Sequence, residues 1–245
     1  AVLSDINPRL MNVYEVVKRN PTELIEELKN KKYVNRKDAF YKIRELEPLD
    51  SIERAARFIY LNKTAFNGLY RENSRGKFNV PFGRYNNPKI VDQETILNAS
   101  TALQKAKLLC GDFSEITSVS KKGDFAYFDP PYMPVTETAK FTNYNAQSFG
   151  IEDQIRLKEV FNALAKRGVK VLLSNSHHES ISDLFSDSNK ILVEANRMIN
   201  CKSSKRGPVK EGCLWARWVR ERVVTAGGVK SQATPALTPA LSPGE

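Results

Sequence analysis

The segment GDFAYFDPPYMP, residues 123–134, ends an apolar run in a single carboxylate and then stiffens the backbone behind it. Proline fixes φ and carries no N–H. The chain after Asp129 is therefore rigid, with carbonyls that can be held toward a ligand. Two acceptors stand side by side, the Asp129 carboxylate and the Pro130 carbonyl. Pro131 extends the stiff stretch and Tyr132 adds a flat face. Two acceptors beside an aromatic plate suit a planar ring bearing an –NH2 group. The exocyclic amine of a purine is a poor nucleophile, because its lone pair is delocalised into the ring. Acceptors on both of its hydrogens draw it toward sp3 geometry and stabilise the positive charge that develops during attack. A base in a duplex must leave the stack to reach such a pocket, and stacking on an aromatic offsets part of that cost. The alternative is a strand-to-loop junction whose Asp caps a helix.

The elements that must position these residues follow from periodicity. AVLSD reads as the end of a short buried strand with Asp5 at its tip. Residues 8–20 have helical spacing, with Leu10, Val13, Tyr14 and Val17 on one face, and Asn7 and Pro8 suit the cap and first turn. Residues 21–32, 52–66 and 92–104 read as further helices. AKLLCGD is a strand ending in Asp112, and DFAYFD one ending in Asp129. A helix over 151–167, the strand VKVLLSN, a helix over 179–185 and the strand KILVEA follow. Strands alternating with helices predict an α/β fold, a mainly parallel sheet covered on both faces. Ligands of such sheets bind beyond the C-terminal strand ends, where Asp5, Asp112, Asp129 and the pair Ser174-Asn175 fall. Residues 20–90 interrupt the alternation and read as an inserted subdomain. Within it, 67–89 are rich in Gly, Asn, Arg and aromatics and read as a hairpin or long ordered loop. From Gly212 on there is no strand or helix period, and a Pro/Ala/Thr/Ser-rich end predicts a disordered tail.

Composition narrows the partners. Of 245 residues, 41% are hydrophobic and 27% charged, as in a soluble globular protein. The net charge of +10, from 38 Lys+Arg against 28 Asp+Glu, favours an anionic partner, nucleic acid first and an acidic membrane surface second. Cys110, Cys201 and Cys213 form an odd set without CxxC spacing, so neither a disulfide framework nor a zinc knuckle is implied and the reducing cytosol is expected. There is no signal-peptide pattern and no apolar run long enough to span a bilayer. His177-His178 lacks a third ligand at metal spacing and reads as a helix start, so no metal is expected. The chain opens on Ala1 rather than Met, so residue 1 need not be the natural start.

DPPY, residues 129–132, matches the catalytic motif of amino-group methyltransferases that use S-adenosylmethionine. Residues 3–211 as a whole resemble the DNA adenine methyltransferase (Dam) family, which modifies adenine N6 in GATC. The resemblance is carried by SDINPRLMNVY, FNGLYRENSRGKFNVPFGRY, CGDF and FTNYNAQSFGIEDQIRL. It implies a Rossmann-like methyltransferase sheet, incomplete at the N-terminus, formed by residues 1–19 and 92–211. A helical target-recognition insert carrying a β-hairpin would occupy 20–91, leaving 212–245 as an atypical tail. It further implies that Asp129, Pro130, Pro131 and Tyr132 form the target-base pocket, with Asp129 also near the methionine end of the cofactor. Asp5 would hold the cofactor ribose, and Asp112 and Phe113 its adenine. The loop FTNY, 141–144, would close over the substrate. By the same likeness Asn67, Leu69 and Pro81 contact bases and Arg71 reads a guanine, as a guanidinium fork matches O6 and N7 in the major groove. Asn73, Asn79, Arg84 and Tyr85 complete the DNA-binding set. Between residues 57 and 89 seven basic residues (Arg57, Lys63, Arg71, Arg75, Lys77, Arg84, Lys89) face one acid, Glu72, which suits phosphate contact; a solvated loop is the plainer alternative. KSSKRG, 202–207, is a second basic loop, for phosphates or as a surface turn. The expected partner is double-stranded DNA, met by a monomeric cytoplasmic enzyme of bacterial or phage type, either in restriction-modification or solitary.

Two departures from the family stand out. Its Gly-rich strand-to-turn motif before the Asp5 stretch, where glycine lets backbone approach the cofactor, is not in this chain. After Glu211, where the family continues into an apolar strand, the text turns to GCLWARWVRERVVTAGG. An adenine-N6 DNA methyltransferase therefore competes with a catalytically inactive remnant that only binds DNA. The chain of 245 residues is expected to bind S-adenosylmethionine very weakly or not at all. A third reading, an RNA or protein-amide methyltransferase, would more often show Asn for the motif Asp and would not need the hairpin.

Overall fold

The computed structural model describes residues 1–132, 149–176, 178–196 and 208–215. The expected loop 141–144, the basic loop 202–207, His177 and the tail beyond 215 lie outside them.

Strand β1 (Val2–Asp5) runs parallel to β2 (Lys107–Cys110), with Asp5 level with Cys110. Helix α1 (Pro8–Arg19) begins two residues on. The Asn7 side-chain oxygen accepts from the Arg9 and Leu10 N–H groups, Pro8 fits the first turn, and Lys18 and Arg19 complement the C-terminal dipole. Helices α2 (Pro21–Leu28), α3 (Lys37–Glu45) and α4 (Ser51–Thr64) follow, and α5 (Gln93–Leu103) leads into β2. Asp50 caps α4 by accepting from the Ile52 and Glu53 N–H groups at 2.9 Å. These helices share one apolar core. Leu24, Leu28, Phe40, Tyr60 and Leu61 sit at its centre, with Val16 and Val17 of α1 and Ile96 and Leu103 of α5 around them. Each such buried Leu or Phe stabilises by about 1.5–3 kcal/mol relative to exposure.

A second core belongs to a second sheet. After the short helix α6 (Ile116–Val119) come β3 (Phe125–Phe128), α7 (Ile151–Lys166), β4 (Lys170–Ser176), α8 (Glu179–Leu184), β5 (Asn189–Asn196) and β6 (Pro208–Trp215). The strand order is β3-β4-β6-β5. Leu157, Phe161 and Leu164 of α7 pack on Val171 and Leu173 of β4, with Ile181, Phe185 and Leu214 beside them.

The protein is thus a mixed α/β structure with small parallel pairings, and three expectations are corrected. A mainly parallel sheet, incomplete at the N-terminus, was expected; the described strands form two sheets, β1-β2 and β3-β4-β6-β5, and β6 runs antiparallel to both β4 and β5. No strand was expected from Gly212 on, yet β6 carries through Gly212 to Trp215. Its ladder to a neighbour on each side fixes it, and Gly212 in its middle interrupts the alternation that side chains would otherwise show. Buried strands were expected at Asp5 and Asp129. In β1, Val2 is 36% and Leu3 39% exposed, whereas β3 is buried on one face, at Ala126 and Phe128, and exposed on the other, at Phe125 (64%) and Tyr127 (56%). Phe125 and Tyr127 share the face of β3 opposite Ala126 and Phe128, so among the described residues one face of that strand is left uncovered.

Candidate active site and DNA-facing loop

The parallel register sets Phe128 level with Leu173, so Asp129 follows the end of β3 beside Ser174. The Ser174 hydroxyl donates to Asp129 Oδ1 at 2.8 Å. Tyr127 Oη lies 3.0 Å from Ser174 Oγ. An ionised carboxylate only accepts and a serine has one proton to give, so the chain runs from Tyr127 to Ser174 to Asp129. β3 ends there because Pro130 and Pro131 have no N–H for a ladder. Behind the prolines, Gln154 Nε2 lies 3.4 Å from the Pro131 carbonyl, and Asn175 Nδ2 donates to Gln154 Oε1 at 3.0 Å.

Asp5 and Asp112 lie at the ends of the neighbouring strands β1 and β2. Asp5 Oδ1 accepts from the Asn7 N–H at 2.7 Å, which turns the chain from β1 into α1. Asp112 accepts from the Ser114 N–H at 3.0 Å and pairs with Arg156 of α7 at 2.9 Å. Burial alone would raise the Asp112 carboxyl; hydrogen bonds from Ser114 and Arg156 outweigh it and hold the group below the usual carboxylate range. The Arg156 guanidinium also lies 5.1 Å from the centre of the Phe113 ring, and Phe149 meets that ring edge-on at 5.9 Å. Carboxylate acceptors and an aromatic ring at adjoining strand ends fit a ligand with hydroxyl and amine donors and a flat base.

Residues 64–83 double back on themselves. Phe66 N–H donates to the Pro81 carbonyl at 2.9 Å, Gly83 N–H to Thr64 at 2.8 Å and Asn79 N–H to Arg71 at 3.0 Å. Pairing is limited to the isolated bridges Ala65–Phe82 and Glu72–Phe78. Asn67 takes a left-handed φ of 53° at the first bend, and its side-chain nitrogen is buried without a partner among the described residues. At the tip the Asn73 side-chain oxygen accepts from the Arg75 and Lys77 N–H groups. Arg71 Nε donates to Asn79 Oδ1 at 2.7 Å. Leu69 packs against the first core, and Arg84 and Tyr85 are exposed. The ring of Tyr70 stacks on Phe58 at 4.6 Å, and its hydroxyl donates to Glu72.

A family model for the D12 class of N6 adenine-specific DNA methyltransferases matches residues 1–199. The chain belongs to this family. It is 43% identical over 219 residues to the Type II methyltransferase M1.LlaDCHI of Lactococcus lactis subsp. cremoris, covering 86% of this chain and 77% of that one. It is 37% identical over 216 residues to the DNA adenine methylase of Vibrio cholerae and 33% identical over 214 residues to that of Escherichia coli K12, with the same shares covered.

Against this D12-class background, the two sheets divide the expected site residues. Asp5, Asp112 and Phe113 gather at the β1-β2 ends, and Asp129 to Tyr132 follow β3. Sequence reasoning missed Tyr127, Gln154 and Arg156 of this methyltransferase, and left Ser174 and Asn175 at a strand end without a role. His178 caps α8, its Nδ1 accepting from the Ser180 N–H at 3.2 Å. Among the described residues there is no cluster of three metal-ligating side chains, and no helix is long and apolar enough to cross a membrane.

Proposed function

We propose that this methyltransferase modifies adenine N6 in duplex DNA at GATC, acting as a monomer with S-adenosylmethionine as methyl donor. The observation that carries the reading is a carboxylate held at the end of β3 by Ser174 and followed at once by Pro-Pro-Tyr. Asp129 and the Pro130 carbonyl accept the two N–H groups of an extruded adenine amine, and Tyr132 stacks on its ring. Ser174, with Tyr127 behind it, fixes the carboxylate before the base arrives. Such preorganised acceptors are where most of the electrostatic stabilisation of a developing charge originates. The growing positive charge on the amine faces Asp129, which also receives its proton. Asp5 would hold the cofactor ribose and Asp112 with Phe113 its adenine. When bound, S-adenosylmethionine supplies an electrophilic methyl group. On the DNA side Asn79 engages Arg71 Nε, leaving the two terminal nitrogens as a fork for guanine O6 and N7. The Asn67 amide nitrogen is unpartnered but buried, so it would meet a base or phosphate only if this bend opens on binding.

The test is protection of GATC sites from a nuclease that cuts only unmethylated DNA. Protein with the family's Gly-rich segment restored ahead of Ala1 should protect. Asp129→Ala should abolish protection while duplex binding persists, because loss of one preorganised acceptor costs about 3 kcal/mol or more in the chemical step. Full protection by Asp129→Ala would overturn the pocket assignment.

A second reading, a DNA binder without catalysis, draws on the separation of β1-β2 from the sheet that holds Asp129. Calorimetric titration with S-adenosylmethionine separates the two. Duplex binding without any cofactor heat favours the second.

A further inference from the structure

We propose that Gln154 and Asn175 are positioning residues that hold the Asp-Pro-Pro-Tyr backbone from behind, through the Pro131 carbonyl. The proposal rests on the reading of residues 129–132 as the target-base pocket. Both side chains are fully buried, at 0% exposure. Burying a polar side chain without hydrogen bonds is destabilising, so two amides at this depth need partners. Their bonds form one chain. The Ser176 N–H donates to Asn175 Oδ1 at 2.8 Å, which leaves the Asn175 amide hydrogens to face Gln154. Asn175 Nδ2 donates to Gln154 Oε1 at 3.0 Å, which turns the Gln154 amide hydrogens toward the Pro131 carbonyl 3.4 Å away. Each amide orientation follows from the one before it, and the order starts at a backbone N–H of β4.

The prolines explain why such a chain is needed. Pro130 and Pro131 have no N–H, so their carbonyls are the only backbone groups by which the pair can be held. Holding Pro131 through its carbonyl from the buried side fixes the peptide next to Pro130, whose own carbonyl is an acceptor of the pocket. Gln154 lies in the first turn of α7, its N–H bonded to the Gly150 carbonyl at 3.1 Å. Asn175 lies on β4, one residue past the serine that holds Asp129. Neighbouring residues of β4 thus control the two acceptors separately, Ser174 the carboxylate directly and Asn175 the proline backbone through Gln154.

Gln154→Met keeps the length of the side chain and removes its amide. Gln154→Glu can still accept from Asn175 but, when ionised, cannot donate to Pro131. The Asp129 and Tyr132 amides, the only ones in the motif, report on the segment without any need for turnover. In either folded variant their hydrogen exchange should quicken about tenfold, the worth of one net hydrogen bond, with α1 and α4 unchanged. Single-turnover methyl transfer should fall about tenfold or more while the duplex Kd stays within about twofold. Adding Asn175→Ala to Gln154→Met should lower transfer little further, since both act on one chain. Unchanged exchange at Asp129 and Tyr132 in a folded variant, or additive losses in the double variant, would overturn the assignment. Wild-type protein that transfers no methyl group would sink the reading of function instead, and the exchange measurement would still decide this one.

Discussion

Arg71 and Lys77 carry the same charge on the same doubled-back segment, but their settings differ. The Arg71 side chain is half-buried and tied through Nε to Asn79, whereas Lys77 is exposed at the tip. A guanidinium held in one orientation can discriminate between bases; a free ammonium adds charge. Arg71→Ala should therefore narrow the gap between GATC and its one-base variants by about 1–3 kcal/mol, the worth of a bidentate base contact. Lys77→Ala should weaken all duplexes about equally and reduce the salt slope by about 1. Methylation of GATC and its variants in the wild-type ratio by Arg71→Ala would show that it is not the reader. The same scale shows what sequence can convey. Asp5, Asp112 and Asp129 were legible as strand-end carboxylates because each closes a short apolar run. Asn73 and Asn79 read as DNA contacts, but in the free protein their oxygens are engaged within the loop, by the Arg75 and Lys77 N–H groups and by Arg71. Gln154 fell inside the helix read over 151–167 with no role of its own, since its burial depends on β4 and the proline carbonyl, which no local pattern encodes.

Elements were legible where a period and a terminator agreed. Asn7-Pro8 announced α1, and the apolar runs announced β2 and β4. Helix α3 was passed over within the insert, although Ala39, Phe40 and Ile43 bury one face. β6 was invisible because a strand paired on both sides is set by its backbone ladder, and Gly212 breaks its pattern. The doubled-back segment is held by few backbone bonds, so each matters. An added Cβ at Gly83 would lie 2.8 Å from the Ala65 carbonyl oxygen and 2.6 Å from the Tyr85 ring. The ring can move, but the Ala65 backbone is tied by its bond to Leu61 at the end of α4. Gly83→Ala should therefore open the rung from Gly83 to Thr64 and destabilise the fold by about 1–3 kcal/mol, as overpacking does. Discrimination of GATC should fall with it, because the returning strand carries Asn79 and Pro81. A variant with unchanged melting temperature and unchanged discrimination would show that the rung is dispensable.

For the molecule as a whole, two cores meet through the segment after β2. Phe113 and Ile116 pack on the second core, Arg156 of α7 pairs with Asp112, and Arg167 donates to the Thr117 and Ser120 carbonyls. That junction places the expected cofactor residues of one sheet beside a helix of the other, so cofactor binding and the order of β1-β2 should be linked. β4 has ladder partners on both edges, whereas β1 and β2 have only each other among the described residues, and apolar side chains of β1 face outward. Protection from hydrogen exchange follows burial and pairing, so β4 amides should exchange at least about tenfold more slowly than those of β1. A ligand that binds only the ordered state stabilises it by mass action. S-adenosylmethionine held by Asp5 and Asp112 should therefore slow exchange in β1 and β2 and leave β5 unchanged, and Asp5→Ala should cancel the effect. The reading as a DNA binder without catalysis expects no response to the cofactor at all. Equal slowing across β1, β2 and β5, or a response that survives Asp5→Ala, would show that the ends of β1 and β2 are not where the cofactor is held.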